Sequence, residues 1–306
     1  MVARDGEDSP SNRPGMAMGL GAYVLWGALP IYFRALEPAG PVEIVAQRAA
    51  WSLVFCLGIL AFTAGLRTLR PVLREPRTLG LVALAGTFIV ANWLVYIYGV
   101  DTGRTIDAAL GYFINPIATV LLAVVVLRER LRPAQWVACG LGVVAVAVIA
   151  VGYGELPWIS LCLAGCFGLY GLVKNRIGRT VDALPGLAAE TAVLFPAAVG
   201  YLVYLEAMGA GTFGDGAQHS LLLVLSGPIT ASPLLLFSAA ARRLPLSVIG
   251  MLQYAAPLLQ LAVGVLLFHE PMPPERLAGF VIVWVAIAVL TVDGLRNRQR
   301  LARRTA

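Results

Sequence analysis

Charge is scarce in this chain. Asp, Glu, Lys and Arg make up 13% of its 306 residues, against about 25% in an ordinary soluble domain. Histidine occurs twice, at His219 and His269, and cysteine four times, at Cys56, Cys139, Cys162 and Cys166. No two cysteines form a C-x-x-C pair, and each lies in an apolar run. They read as buried structural thiols, with neither a metal site nor a disulfide framework expected. No P-loop, G-x-S-x-G or H-E-x-x-H motif occurs, so the chain encodes no ATP-driven pump and no cofactor is expected.

Apolar surface is abundant instead. Hydrophobic residues make up 59% of the chain, and the mean hydropathy is +0.80. That content excludes intrinsic disorder. A soluble fold would have to leave much of it in water, where large apolar patches are rare. The expected class is an all-α integral membrane protein, with the lipid bilayer as its main partner. The pI near 9.4 would otherwise suggest a nucleic-acid binder. The basic residues, however, lie in short runs between apolar stretches, so no nucleic acid is expected.

About 20 apolar residues cross a bilayer as a helix. Ten such runs are present: 17–36, 43–64, 79–100, 105–127, 134–151, 157–174, 185–206, 220–241, 247–268 and 274–293. They are continuously apolar, whereas strands of a membrane barrel alternate. With the N-terminus inside, 19 basic residues fall on the cytoplasmic side, three on the other side, and Arg48 within a span. Positive charge marks the cytoplasmic side, so both termini are expected there. Residues 1–16 and 294–306 read as disordered tails, the second basic enough to rest on anionic lipid heads. The first run shows no cleavage site and is expected to be retained.

The chain carries an internal echo. LGYFINP at 110–116 is followed by an apolar stretch and RER at 128–130; MLQYAAP at 251–257 is followed by one and HEP at 269–271. Pro116 to Glu129 and Pro257 to Glu270 both span 13 residues, an offset of 141. Two five-span units follow, 17–152 and 153–293. An odd number of spans per unit makes the repeats inverted, an architecture of transporters with a site near the midplane.

YVLWG at 23–27, NWLVYIY at 92–98, LGYFINP at 110–116, PWISL at 157–161, RLPLS at 243–247 and LQY at 252–254 together resemble the EamA-type branch of the drug/metabolite transporter superfamily. Within it the resemblance is to the RarD group of bacterial inner-membrane permeases, over residues 17–293. In the loop before Leu110 the chain departs from that pattern, with Asp101 and Asp107 where Asn and Glu are common. The resemblance implies ten helices in two repeats and transport of a small molecule, and the group's name is tied to chloramphenicol sensitivity or resistance. It supplies no catalytic motif.

Polar groups in hydrocarbon need a reason. Arg48 is a candidate to clamp an anionic or carbonyl group of a substrate; the bland alternative is a long side chain snorkelling to the interface. Glu43, in the first turn of the same helix, reads as a cap or a partner for Arg48. Glu190 lies near the repeat counterpart of Arg48. Burial disfavours an ionised carboxylate, which makes Glu190 the candidate proton carrier; the alternative is a structural hydrogen bond. Arg48 and Glu190 enter from opposite faces, so they are not expected to pair. Asn92, Asn115 and Gln253 are candidate cavity residues or interhelical glue, as is Gln260. Tyr96, Tyr112 and Tyr254 are candidate cavity walls. Tyr98 and Trp158 read as interfacial belt residues. Asp101, Arg104 and Asp107 read as a solvated gate or surface ion pair, and Gly165, Gly168 and Gly171 as packing residues.

These readings converge on a non-enzymatic secondary transporter that exports a small organic solute or drug, powered by a proton gradient. Uptake or facilitated diffusion is the alternative, and an intramembrane lipid-modifying enzyme a more distant one. A second copy of the chain is a candidate partner.

Overall fold

The computed structural model describes residues 13–63, 65–128, 131–177 and 181–305. Among these residues twelve α-helices follow one another: α1 Arg13–Arg34, α2 Pro41–Phe62, α3 Leu69–Arg74, α4 Pro76–Asp101, α5 Thr105–Leu127, α6 Pro133–Tyr153, α7 Trp158–Ile177, α8 Ala183–Ala207, α9 Ala217–Ala241, α10 Leu246–Leu252, α11 Ala255–Ala262 and α12 Pro274–Thr305. A 3-10 turn precedes α3, and a π-helical turn, Val263–Leu267, follows α11. Among the described residues, ten segments are long and apolar enough to cross a membrane, the ninth, Val248–Leu267, joining most of α10 to α11 and the π turn. Helices satisfy backbone hydrogen bonds within the segment, as hydrocarbon requires.

The sequence sets their ends. Proline opens α2, α4 and α6, where its fixed φ suits the first turn and its missing N–H is not needed. Gly154, at φ +72°, closes α6 in the left-handed conformation, which favours glycine. The ninth span breaks at Gln253 and Tyr254 because Pro257 clashes with the carbonyl of Gln253 and offers it no N–H. The run still crosses as one segment, Val248–Leu267, and α5 stays helical through Pro116 without such a turn.

The described parts of both expected tails are helical. The first helix starts at Arg13, with Pro14 in its first turn, and residues 1–12 lie outside the described part. The last runs past Asp293 to Thr305. Its Leu, Arg, Gln and Ala residues are helix formers, and cations suit a helix C-terminus.

The packing has the symmetry that the repeat implies. With α1, α2, α4, α5 and α6 set against α7, α8, α9, the α10–α11 span and α12, contacts occur in matched sets. The pair α4–α7 mirrors α9–α1; α4–α8 mirrors α9–α2; α5–α7 mirrors α11–α1. The pairs α2–α8, α5–α11 and α6–α12 map onto themselves. Glu129 and Arg130, which the spacing argument used, lie outside the described residues.

Large apolar side chains such as Phe62 and Val151, 94% and 85% exposed, face outward as lipid-facing residues do. Small residues allow close crossings inside. A Cβ on Gly227 would collide with the Trp51 backbone, and one on Gly111 would sit 2.8 Å from the Ser160 carbonyl. Of the three glycines spaced along α7, Gly168 meets a neighbour this closely, at Leu122, while Gly165 and Gly171 have open space. The sequence spacing therefore overstated the packing role of the outer two.

Candidate functional site

Arg48 and Glu190 are structural counterparts. Each lies seven residues after the start of its helix, α2 for one and α8 for the other, about 10 Å along the axis. Because the repeats are inverted, they reach inward from opposite ends.

Arg48 is buried. Its Nε donates to Thr230 Oγ1 on α9 at 2.7 Å, and Thr230 in turn donates to the Ser226 carbonyl. The guanidinium carbon lies 4.1 Å from the Trp93 ring centroid and 5.3 Å from that of Phe33. Among the described residues, no carboxylate lies within ion-pair distance of it. Glu43, the expected alternative partner, instead accepts from the Thr212 N–H at 2.9 Å and the Thr212 hydroxyl at 3.0 Å. It ties α2 to the α8–α9 loop.

An aromatic and polar column runs from this cage into the bundle. Phe33 meets Tyr96 at 5.9 Å, and Tyr96 meets Tyr112 at 5.6 Å between ring centroids. The Tyr112 hydroxyl donates to Asn92 Oδ1 at 3.0 Å, and Asn92 Nδ2 donates to the Leu163 carbonyl at 3.2 Å. Phe167 stands edge-on to Tyr112 at 5.9 Å and meets Tyr170 at 6.0 Å. The Tyr170 hydroxyl donates to Glu190 Oε2 at 3.3 Å, and Lys174 Nζ donates to Oε1 at 2.7 Å. Lys174, the only lysine in the chain, lies one turn beyond Tyr170 on α7. Glu190 is fully enclosed.

Arg48, Asn92, Tyr96, Tyr112 and Glu190 are thus brought onto one column, and Arg48 and Glu190 do not pair. Asn115 adjoins it one turn beyond Tyr112, near Gly168, with its Oδ1 buried and without a partner among the described residues. Gln253 and Tyr254 stand elsewhere, at the break in the ninth span. Gln253 turns back to the Gly250 carbonyl at 3.0 Å, and Tyr254 packs with the Ile106, Phe113 and Phe280 cluster. Phe33, Thr230, Tyr170 and Lys174 belong to the column and were not singled out from the sequence. Lys174 alone had a signal, as the one lysine of the chain.

A second polar cluster closes the end opposite the arginine-rich turns. Glu270 accepts from the Thr105 and Ile106 N–H groups, at 2.7 and 2.8 Å. It satisfies donors that the first turn of α5 cannot bond internally. Asp107 pairs with Arg104 at 2.9 Å and with Arg276 of α12 at 3.2 Å. Asp107 and Arg276 are both buried, so the expected surface pair is an interhelical lock. Asp101 stays exposed. Tyr98 and Trp158, half-exposed and 5.7 Å apart, stand near the same end.

The EamA-like transporter family matches residues 13–151, the first repeat with its entry turn. Over 290 residues the chain is 51% identical to "Protein RarD" of Streptomyces exfoliatus, covering 94% of this chain and 91% of that one. It is 33% identical over 297 residues to "Protein RarD" of Escherichia coli, covering 97% and 100%. "Chloramphenicol-sensitive protein RarD" of Pseudomonas aeruginosa is 31% identical over 294 residues, covering 95% and 97%. A solved crystal structure, 17% identical and covering 93% of this chain and 99% of that chain, has the same fold at a TM-score of 0.58. Ten spans in two matched halves, and likeness along nearly the whole length to these proteins, lead to one conclusion: the chain belongs to the EamA-like transporter family, in its RarD group.

Proposed function

We propose that the chain exports a small organic solute or drug across the inner membrane by alternating access, in exchange for protons. The observation that carries the reading is the column between two repeat counterparts, Arg48 and Glu190. Two inverted halves have two near-equivalent packings, and a site on the axis between them can open to either side. The arginine-rich turns are the cytoplasmic side.

Arg48, Asn92, Tyr96, Tyr112 and Asn115 hold the solute in this reading, while Gln253 and Tyr254 give the ninth span its flexible point. Glu190 exchanges the proton. Ionised, it holds Lys174 and so ties α7 to α8; protonated, it releases that tie and allows the halves to rock. The chloramphenicol connection of a relative's name makes that drug one probe.

The test uses purified protein in proteoliposomes with an imposed pH gradient and an internal pH dye. Chloramphenicol, amino acids and other metabolites are added in turn. The expected result is a solute-dependent proton leak that Glu190→Gln abolishes. Movement of labelled solute without a gradient, unchanged by Glu190→Gln, would make the protein a facilitator and Glu190 a structural anchor. The Lys174–Glu190 ion pair favours that second reading.

A further inference from the structure

A buried positive charge in a membrane protein is ordinarily met by a carboxylate. Buried Arg276 follows that rule with Asp107, and the partly buried Lys174 is likewise met by Glu190. Arg48 does not follow it. Its Nε has the Thr230 hydroxyl, but neither Nη group donates to an acceptor among the described residues. The rings of Trp93 and Phe33 lie against its face. Cation–π contact and one hydroxyl return only part of what desolvation removes. A second observation points to the same place. Tyr96, whose ring meets that of Phe33 at 5.9 Å, has its hydroxyl buried with no hydrogen-bond partner among the described residues. Two kinds of donor are therefore left over around one ring, Phe33, which both Arg48 and Tyr96 meet.

We propose that the solute is an organic carboxylate with a flat apolar body, its carboxylate received by the Arg48 Nη groups and the Tyr96 hydroxyl. This rests on the permease reading above and gives its substrate a class. The planar guanidinium fork matches a carboxylate in a bidentate pair. The charge count favours a monoanion, because a dianionic phosphate would leave one negative charge unmet in an apolar cage. The ring of the solute lies among Phe33, Trp93, Tyr96 and Tyr112, whose faces suit a flat group.

Equilibrium binding on the full-length purified protein tests the class without any gradient, so it stands apart from proton coupling and direction. Radiolabelled benzoate is the probe, with unlabelled benzoate, benzamide, benzylamine and phenyl phosphate as competitors. Benzoate is expected to compete at least about tenfold better than benzamide and better than the other two. Arg48→Gln removes that preference, and Arg48→Lys keeps part of it, having the charge without the fork. Tyr96→Phe deletes a hydroxyl that bonds nothing among the described residues, so it is expected to fold and to weaken benzoate several-fold. It decides the matter if Arg48→Gln does not yield folded protein. Equal competition by benzamide, preference for benzylamine or phenyl phosphate, binding of none of the four, or a preference that survives Arg48→Gln each overturns the assignment. Proton-coupled movement of a neutral solute that is indifferent to Arg48→Gln sinks the carboxylate and leaves the permease reading intact.

Discussion

Gly227 on α9 faces the α2 backbone at Trp51 and Ser52, and a Cβ built there would meet the Ser52 nitrogen at 3.0 Å and the Trp51 carbonyl more closely still. Backbone does not swing aside as a side-chain tip does. In Gly227→Ala the helices must part by about 1 Å before the methyl reaches an ordinary contact of about 3.5 Å. Overpacking of this kind costs about 1–3 kcal/mol, which lowers the unfolding midpoint by several degrees. The consequence reaches the site, because Thr230 lies three residues further along α9. Its 2.7 Å bond from Arg48 would stretch past the limit of about 3.2 Å. The assay is thermal unfolding of purified protein in detergent, with benzoate affinity measured alongside. Gly58→Ala on α2 is the control, since a Cβ there meets nothing within 4 Å. If Gly227→Ala melts and binds like the native protein while Gly58→Ala does the same, the close crossing is not what seats Arg48.

Two further outcomes follow from the ion pairs. Lys174→Met leaves the enclosed Glu190 without its cation, with a cost of up to about 3–5 kcal/mol; adding Glu190→Gln should recover much of it, and a double-mutant cycle in thermal unfolding with no coupling between the two would contradict the pair. Glu270→Ala strips the acceptors from the Thr105 and Ile106 N–H groups, at about 1–3 kcal/mol, and should speed amide hydrogen exchange in the first turn of α5, whereas unchanged exchange would show that α5 does not depend on this cap.

How far the sequence reached depended on the range of the interaction. The 105–127 span matches α5 end to end, because an apolar run bounded by turn residues is local information. The ninth run crosses as one segment, as its length implies, but the turn within it at Gln253 and Tyr254 is not legible from Pro257: α5 carries Pro116 unbroken, and proline alone does not say which helix yields. Asp107 reads as a surface residue from the sequence because its partner Arg276 lies far along the chain, in another helix. The same distance hid Thr230 from Arg48.

By itself the sequence determined the membrane class, the ten spans, the two halves and the placing of Arg48 and Glu190 at matching depths. These follow from residue type, run length and spacing, which hydrocarbon reads one segment at a time. Only the tertiary structure decided which charges are paired. Lys174 reaches Glu190, Arg276 reaches Asp107, and Arg48 meets, among the described residues, a hydroxyl and two aromatic rings. Pairing depends on which helices cross and at what height, and a transfer energy summed along one helix contains neither.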